Sequence, residues 1–498
     1  MALSFYRAPI RCDLFVLLLV LLSYLLFFPY YPRLHSANEL SRLYLVYALV
    51  DDKDVEITKY IQKFGDINDK SKVAQSYFSD KPPGTAFVAS LPVAIARLLG
   101  FKQAIERDLW LCRFASGTLP VFLLLLLIRK EMKDLQVREE TRAIFLLLAG
   151  LGTLLFPYAI LFYGHGLVAF LVFASFYLAI SPSPLKAVFL GFASSLSVAT
   201  EYQSALYILP SLVLFCSPLR HKKSLPPFFL LGALPPLVSL LLYHTYAFGS
   251  PFKTGYSFVS NPFFASVHAQ GFIGVKFPRL EPFLGSLFYP SKGLLFYSPA
   301  LVLGFLGLPL YFRKVSRSLL FHRICLVGLP ILFVSSMVYW DGGWTVSQRH
   351  LTPLVPFLIT PSALLFENSK ITRLVSLGLI LASICMISVS TIVFPHMPEY
   401  FTNPFHDLIV PLLQKGYMVK TLLLSAKPLA IVFAFLVICA LLFAIAIFPS
   451  SFAHKVTIVV LGILIGIAWF DMTSRVSRFE KARVAEEVSN FEQYFDRP

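Results

Sequence analysis

Charge is what this chain has little of. Only 14% of its 498 residues are charged, against about 25% in an ordinary soluble domain. Acidic residues are the scarcer sign, with 27 Asp and Glu against 43 Lys and Arg. The six cysteines lie in or at the ends of apolar runs, and no two form a C-x-x-C pair. They read as small buried hydrophobes, which excludes a disulfide framework and a cysteine zinc site. A nucleotide-cradling loop is also missing. "GLGTLL" at 150–155 lies inside an apolar run and lacks the third glycine of the fingerprint. No internal repeat is evident, which counts against inverted-repeat transporter folds. No spacing of His, Cys, Asp and Glu suggests a metal cage. Asp51, Asp52 and Asp54 are able to take a divalent cation, but a solvated charge run is the preferred reading. No cofactor is therefore expected beyond that one possible cation.

What fills the chain instead is hydrocarbon. Hydrophobic residues make up 57%, the mean hydropathy is +0.72, and apolar runs of span length recur from end to end. The expected fold class is all-α: a polytopic membrane protein with about 13 transmembrane helices and external juxtamembrane helices. The net charge of +16 sits in short basic clusters between apolar runs. That is the positive-inside pattern, and it excludes a nucleic-acid partner in favour of membrane lipids.

The topology follows from those clusters. Arg7 and Arg11 precede the apolar run Leu14–Phe28, and bulky "FFPYYPR" follows without a small-residue cleavage site. The run reads as an uncleaved first span, 13–30, with its start in the cytoplasm. "RKEMKDLQVREETR" at 129–142 is also expected inside, so only 13–30 and 110–128 can cross before it. The apolar piece 85–100 spans about 24 Å as a helix, short of the ~30 Å hydrocarbon core. It should be re-entrant or surface-lying, which makes 31–109 one external loop. Alternation then gives spans at 143–163, 167–181, 186–200, 204–217 and 226–247, and a second external loop at 248–295. Further spans fall at 296–312, 324–339, 351–366, 374–394, 428–448 and 456–472, with a short external loop at 340–350. The tail 473–498 is expected outside as an amphipathic surface helix, although Arg475, Arg478, Lys481 and Arg483 run against the charge rule.

On the external side the scarce charges concentrate. They stand in "SANELSRLY" (36–44), "SDKPPG" (79–84), "FGSPFKTGYSF" (248–258), "YPSKGLLFYSP" (289–299) and "WDGGWTVSQRH" (340–350), with His165 and Glu201 at outer span ends. Acids and bases from distant segments on one membrane face suit acid–base work on a lipid-anchored substrate. In "SDKPPG" the prolines fix the backbone and the glycine permits the turn into a helix, which holds Asp80 and Lys81 near headgroup depth.

"NELSR" followed by "SDKPPG" resembles the GT-C superfamily of integral membrane glycosyltransferases, and more narrowly its protein O-mannosyltransferase and lipid A aminoarabinose transferase branch. "FGSPFKTGY", "SKGLLFYSP" and "GGWTVSQRHLTPLVPFL" are similar to motifs of bacterial members, and the likeness covers about residues 10–365. The resemblance implies an inverting transfer, outside the cytoplasm of a bacterial inner membrane. The donor would be a polyprenyl-phosphate sugar, and the acceptor a lipid, glycan or protein. It implies a catalytic module at 1–366, followed by C-terminal transmembrane helices at 367–472 and the tail. An acid in the first external loop should be the base. Many members have Asp-Glu where this chain has Asn38-Glu39, so Glu39 is the first candidate and Asp80 the second, with Asp51 behind them. Lys81, Arg349, Lys292 and Arg42 are candidates for gripping the leaving phosphate. His165, Glu201, Tyr256 and His350 are candidates for contacts with sugar or acceptor, and Trp340 and Trp344 for stacking. Each has a plain structural alternative: an ion-paired Glu39, snorkelling Lys81, Lys292 and Arg349, a satisfied interfacial His165, and a belt of interfacial aromatics. Two other functions remain open: a transporter or lipid-sugar flippase, and a polymerase or ligase using a diphosphate donor.

Overall fold

The structure is a computed structural model that describes residues 12–31, 36–216, 225–419, 452–475 and 481–495. It is mostly helical. Four helices are long and apolar enough, by length and composition, to cross a membrane: Ile105–Asp134, Leu225–Phe248, Arg317–Ser336 and Lys370–Val393. Shorter apolar helices accompany them. The expected span 428–448 and the basic loop 217–224 lie outside the described residues.

The chain opens with α1 (Cys12–Leu26), then α2 (Ala37–Tyr47) and α3 (Thr58–Phe64). A hairpin follows, β1 (Lys70–Val73) against β2 (Ser76–Ser79), then α4 (Gly84–Leu98). α5 (Ile105–Arg113) and α6 (Leu119–Asp134) join through a π turn into one long helix. Next are α7 (Glu139–Leu151), α8 (Leu155–Ile160), α9 (His165–Ile180), α10 (Pro184–Thr200), α11 (Ser204–Cys216) and α12 (Leu225–Phe248). The segment 248–295, expected from the sequence to be the second external loop, carries α13 (Pro262–His268), α14 (Leu280–Phe288) and the start of α15 (Leu294–Tyr297). Then come α16 (Val302–Phe312), α17 (Arg317–Ser336), α18 (Val355–Asn368), α19 (Lys370–Val393), α20 (Val410–Gln414), α21 (Phe452–Ser474) and α22 (Lys481–Glu492).

Two departures from the expected elements have local causes. The hairpin breaks the all-α expectation. Its two-residue turn is Ala74-Gln75, with Ala74 at φ 53°, where such turns favour glycine or asparagine. The expected span 143–163 is two helices, because the chain turns at 152–154 between α7 and α8.

The long helices share two ends. At one end the basic loops converge. Arg129 and Arg142 reach Asp13 at 2.8 and 3.0 Å, and Arg138 reaches Glu367 at 3.2 Å. Lys314 donates to the Leu135 carbonyl at 3.0 Å. Helices start there on serine caps, Ser183, Ser316 and Ser369, whose hydroxyls accept otherwise orphaned N–H groups. Just inside this end, Arg323 is fully buried and bonds both Glu131 oxygens at 2.5 and 3.2 Å, with Thr360 donating to the same carboxylate. A buried ion pair so completely satisfied ties α6, α17 and α18 together.

The opposite end collects the chain after α1, the starts of α9, α11 and α18, and the ends of α10, α12, α17 and α19. Tyr31 donates to the Val393 carbonyl at 3.3 Å, and Tyr202 and His244 meet at 2.8 Å. By these contacts α1, α7–α8, α10, α12, α17, α19 and α21 run from the basic end to the other, and α5–α6, α9, α11, α16 and α18 run back. Close helix approach needs small residues. A Cβ at Gly191 would lie 2.0 Å from the Phe229 carbonyl, and one at Gly232 1.8 Å from that of Val188. Here α10 and α12 touch backbone to backbone. Helix α4 keeps both ends at the same side: Gly84 abuts Ala199, and Arg97 pairs with Asp51 and Asp108 at 2.9 and 2.7 Å. Helix α22 packs Phe491 against Trp344 and Phe394, again at this side.

Candidate active site

A cavity of about 520 Å³ opens at the end away from the basic loops. Its walls come from α2, the hairpin's open end, the loop before α9, the second external loop, the 340–350 loop and the segment after α19.

The hairpin register makes the central feature. Lys70 pairs with Ser79, so Asp69 and Asp80 flank the last cross-strand pair and face each other. Lys81 sits between them, 3.0 Å from Asp69 and 3.2 Å from Asp80. The other Asp80 oxygen, Oδ1, is buried and has no hydrogen-bond partner among the described residues. Burial pushes the Asp80 carboxyl up to about 6, with Lys81 pulling it down and Asp69 pushing it further up. The second external loop docks here. Ser71 Oγ donates to the Gly255 carbonyl at 2.7 Å. A Cβ at residue 255 would stand 2.8 Å from the Asp80 Cα, so only glycine lets this loop bring Tyr256 beside the carboxylate. Tyr256 then stacks on His268 at 4.6 Å.

Arg349 faces the same cavity. It is half-buried, has no ion-pair partner among the described residues, and rests over the Tyr163 ring at 5.6 Å. Its Nε also lacks a hydrogen-bond partner among the described residues. Neighbouring His350 is held neutral, because burial and the charges of Arg349 and Lys81 disfavour its protonation. Its Nδ1 lies 3.2 Å from the Gln203 amide, which also donates to Glu201.

Of the candidate residues, Asp80, Lys81, Tyr256, Arg349 and His350 line the cavity. The others do not. Arg42 and Glu201 form a buried pair at 3.2 Å one layer behind, and they hold Asn38 and Gln203 in the wall. His165 stacks edge-on with Tyr158 at 5.3 Å and His350 at 5.1 Å. Trp344 lines the cavity, whereas Trp340 packs over Gly285.

Glu39 is not among the residues that line the cavity. Its carboxylate accepts from Arg113 at 2.9 and 2.7 Å and from the Phe162 N–H at 2.5 Å. Burial alone would raise its pKa, but the Arg113 charge and hydrogen bonds outweigh that and hold it below the usual carboxylate range. A buried carboxylate so occupied is a weak proton acceptor. Asp51 is likewise engaged, by Arg97 and Gln103. Among the described residues no group of three or more His, Cys, Asp or Glu is arranged to hold a metal ion.

Lys292 also lies outside the cavity lining. Its amine is fully buried and donates to the Gly343 and Thr345 carbonyls at 2.5 and 2.9 Å, with the Met397 carbonyl at 3.4 Å. Burial lowers it to about 8 against the pull of Asp341 and Glu399. The lysine pins the loop that carries Trp344 and Arg349. Lys292→Met should therefore cost about 1–3 kcal/mol of stability by orphaning those carbonyls, read as a lower unfolding temperature in detergent. A lysine serving only to bind donor would leave that temperature unchanged.

Sequence reasoning missed Asp69, Tyr163, Gln203, His396 and Glu399, all in the cavity wall. Only Asp69 carried a signal, as an acid in the Asn/Asp-rich turn "GDINDK" just before the hairpin.

Apolar helices with a charged cavity at one end define a helical integral membrane protein with a half-enclosed polar pocket. No protein-family model and no curated protein matches the chain. Among solved structures it is similar to the archaeal oligosaccharyltransferase AglB from Archaeoglobus fulgidus, in complex with an inhibitory peptide and a dolichol-phosphate. The TM-score is 0.38 and the identity 10%, over 98% of this chain and 60% of that one. The chain thus spans about 60% of that structure's length.

Proposed function

We propose that the chain is a GT-C-type glycosyltransferase that moves a sugar from a polyprenyl-phosphate donor to an acceptor at the extracytoplasmic face of a bacterial inner membrane. The observation that carries this reading is one cavity holding both a carboxylate oxygen, on Asp80, and a guanidinium, on Arg349, that have no partner among the described residues. The basic loops at the opposite end support a cytoplasmic placement for that end. The alternating helix directions among the described residues support the multi-span topology expected from the sequence.

In the proposed reaction Asp80 accepts the acceptor's proton as the acceptor oxygen bonds to the anomeric carbon from one face. The carbon–phosphate-oxygen bond breaks on the other face, and configuration inverts. The phosphate leaves with the electron pair and meets Arg349, whose planar fork grips two oxygens. Lys81 holds Asp80 ionised and aligned, and Asp69 anchors Lys81. The role given to Glu39 from sequence passes to Asp80.

The test is lipid mass spectrometry of a strain lacking the chain. A polyprenyl-phosphate sugar should accumulate, and a surface glycan should lack one residue. The wild-type chain should reverse both effects. Arg349→Ala should weaken donor binding about 10- to 100-fold, the loss of a charge-assisted contact. Unchanged donor affinity in that variant would remove Arg349 from the phosphate site.

A further inference from the structure

Behind the cavity wall, Arg42 and Glu201 meet at 3.2 Å, and both are almost wholly buried. Arg42 stands one turn after Asn38 on α2, and Glu201 follows the last residue of α10. A Cβ at Gly164 would lie 2.7 Å from Glu201 Oε1, so a glycine just before α9 leaves the carboxylate its room. The pair takes no part in the reaction proposed above. Its effect falls on two neutral amides that line the cavity, Asn38 and Gln203.

A side-chain amide has a donor end and an acceptor end, and its partner decides which end turns inward. A guanidinium only donates, and a carboxylate only accepts. Arg42 Nη1 donates to Asn38 Oδ1, and to the Asn38 carbonyl at 3.1 Å. The Asn38 oxygen is therefore committed to Arg42, and its NH2 is left for the cavity. Gln203 Nε2 donates to Glu201 Oε2 at 3.2 Å, which leaves the opposite end, the oxygen, for the cavity. The same Nε2 lies 3.2 Å from His350 Nδ1. A ring nitrogen that receives an N–H carries no proton, so the His350 proton is on Nε2. Burial and the charges of Arg349 and Lys81 keep that ring neutral. Asn38 Nδ2, Gln203 Oε1 and His350 Nε2 have no hydrogen-bond partner among the described residues, and none of the three is a sealed-off buried atom. All three residues line the cavity.

We propose that the Arg42–Glu201 pair sets Asn38, Gln203 and His350 as a donor, an acceptor and a donor of fixed sense, and that this surface reads the hydroxyls of an uncharged hexose. A hydroxyl both donates and accepts, so neutral groups of both kinds satisfy it. A carboxylate or ammonium on the sugar would shed water against this wall and gain no counter-charge from it. The role rests on the glycosyl transfer proposed above; the orientation of the three groups does not. It gives Asn38 a task of its own, because an aspartate there would accept from Arg42 equally well but present no N–H to the cavity. Asn38, Gln203 and His350 are thus specificity residues, and Arg42 and Glu201 are positioning residues that act through them.

The experiment measures binding to the full chain in detergent, with farnesyl-phosphate mannose, glucose and galactose, the monodeoxy forms of each, and farnesyl phosphate alone. Wild type should bind at least one hexose donor more tightly than farnesyl phosphate, and removing one hydroxyl should weaken it about 10- to 100-fold. Asn38→Asp, Gln203→Met or His350→Phe should shrink that deoxy penalty below about threefold, with affinity for farnesyl phosphate unchanged. A penalty that survives all three variants, or equal weakening of hexose donor and farnesyl phosphate, overturns the surface. In a second arm, solid-state ¹⁵N NMR of the histidine rings, with His350→Phe assigning the signal, should place the His350 proton on Nε2. Glu201→Gln lets the Gln203 amide turn over, so a share of His350 should move its proton to Nδ1. A proton on Nδ1 in wild type, or an unchanged ring in Glu201→Gln, overturns the orientation by the buried pair. If no hexose donor outbinds farnesyl phosphate while the deletion strain still accumulates a polyprenyl-phosphate sugar, the transferase stands and the uncharged-hexose reading falls. If that strain accumulates none, the transferase reading itself falls, and the ring proton still decides the orientation.

Discussion

Asp80→Asn is expected to lower turnover about 10²- to 10⁴-fold, the range removed with a general base, while donor affinity changes little. The amide keeps the shape of the side chain and loses the ability to take a proton. Its environment is poised for that task. Burial lifts the carboxyl to about 6, near the working pH, and Oδ1 has no competing partner among the described residues. A pH profile adds an independent reading. In wild type, kcat/KM should fall on the acid side near pH 6, as the protonated carboxyl ceases to accept. Lys81 stabilises the ionised form from 3.2 Å. Lys81→Met should therefore raise the Asp80 pKa and move that acid limb to higher pH, and the repulsion from Asp69 then pushes the same way. A limb that stays in place, or moves to lower pH, would sink the assignment of Asp80.

The sequence announced the bilayer far better than it announced the cavity. Hydropathy and basic clusters are long-range averages, and they survive small errors of boundary. So 85–100 was expected not to cross, and α4 does keep both its ends at the cavity side. The hairpin was illegible for a local reason: Ala74-Gln75 carries none of the glycine or asparagine that marks a two-residue turn. Without the hairpin's register, Asp69 had no reason to be set opposite Asp80. Glu39 and Lys292 show a different limit of the sequence. Each is a charged residue in an external loop, and each is consumed by a partner distant in sequence. Arg113 is 74 positions from Glu39, and the carbonyls around Thr345 are 53 from Lys292. Composition locates a charge on a membrane face; only packing reveals whether it is already spent. Arg349 is the converse case, a charge that the fold leaves unpaired among the described residues.

Glu39→Gln is expected to cost about 3–5 kcal/mol of stability, because it leaves Arg113 as a buried charge without its counter-ion. Arg113 lies over the Phe28 ring at 4.7 Å and donates to the Pro29 carbonyl at 3.0 Å, so the pair joins the end of α1, the start of α2 and the end of α5. The third Glu39 contact, from the Phe162 N–H, fixes the loop that presents Tyr163 beneath Arg349. Activity should fall with the fold, as a lower unfolding temperature and fewer competent molecules. The pH dependence has the sign of a lowered carboxylate. The Glu39 contribution to stability is present above the ordinary glutamate pKa and is lost only as pH falls through its depressed folded value. Pairing the change with Arg113→Met removes both charges at once and should recover much of the lost stability, since a neutral Gln–Met pair replaces an orphaned ion. Turnover should return with it. A double variant that folds at the wild-type temperature yet transfers no sugar would restore Glu39 to the chemistry and displace Asp80 as the base.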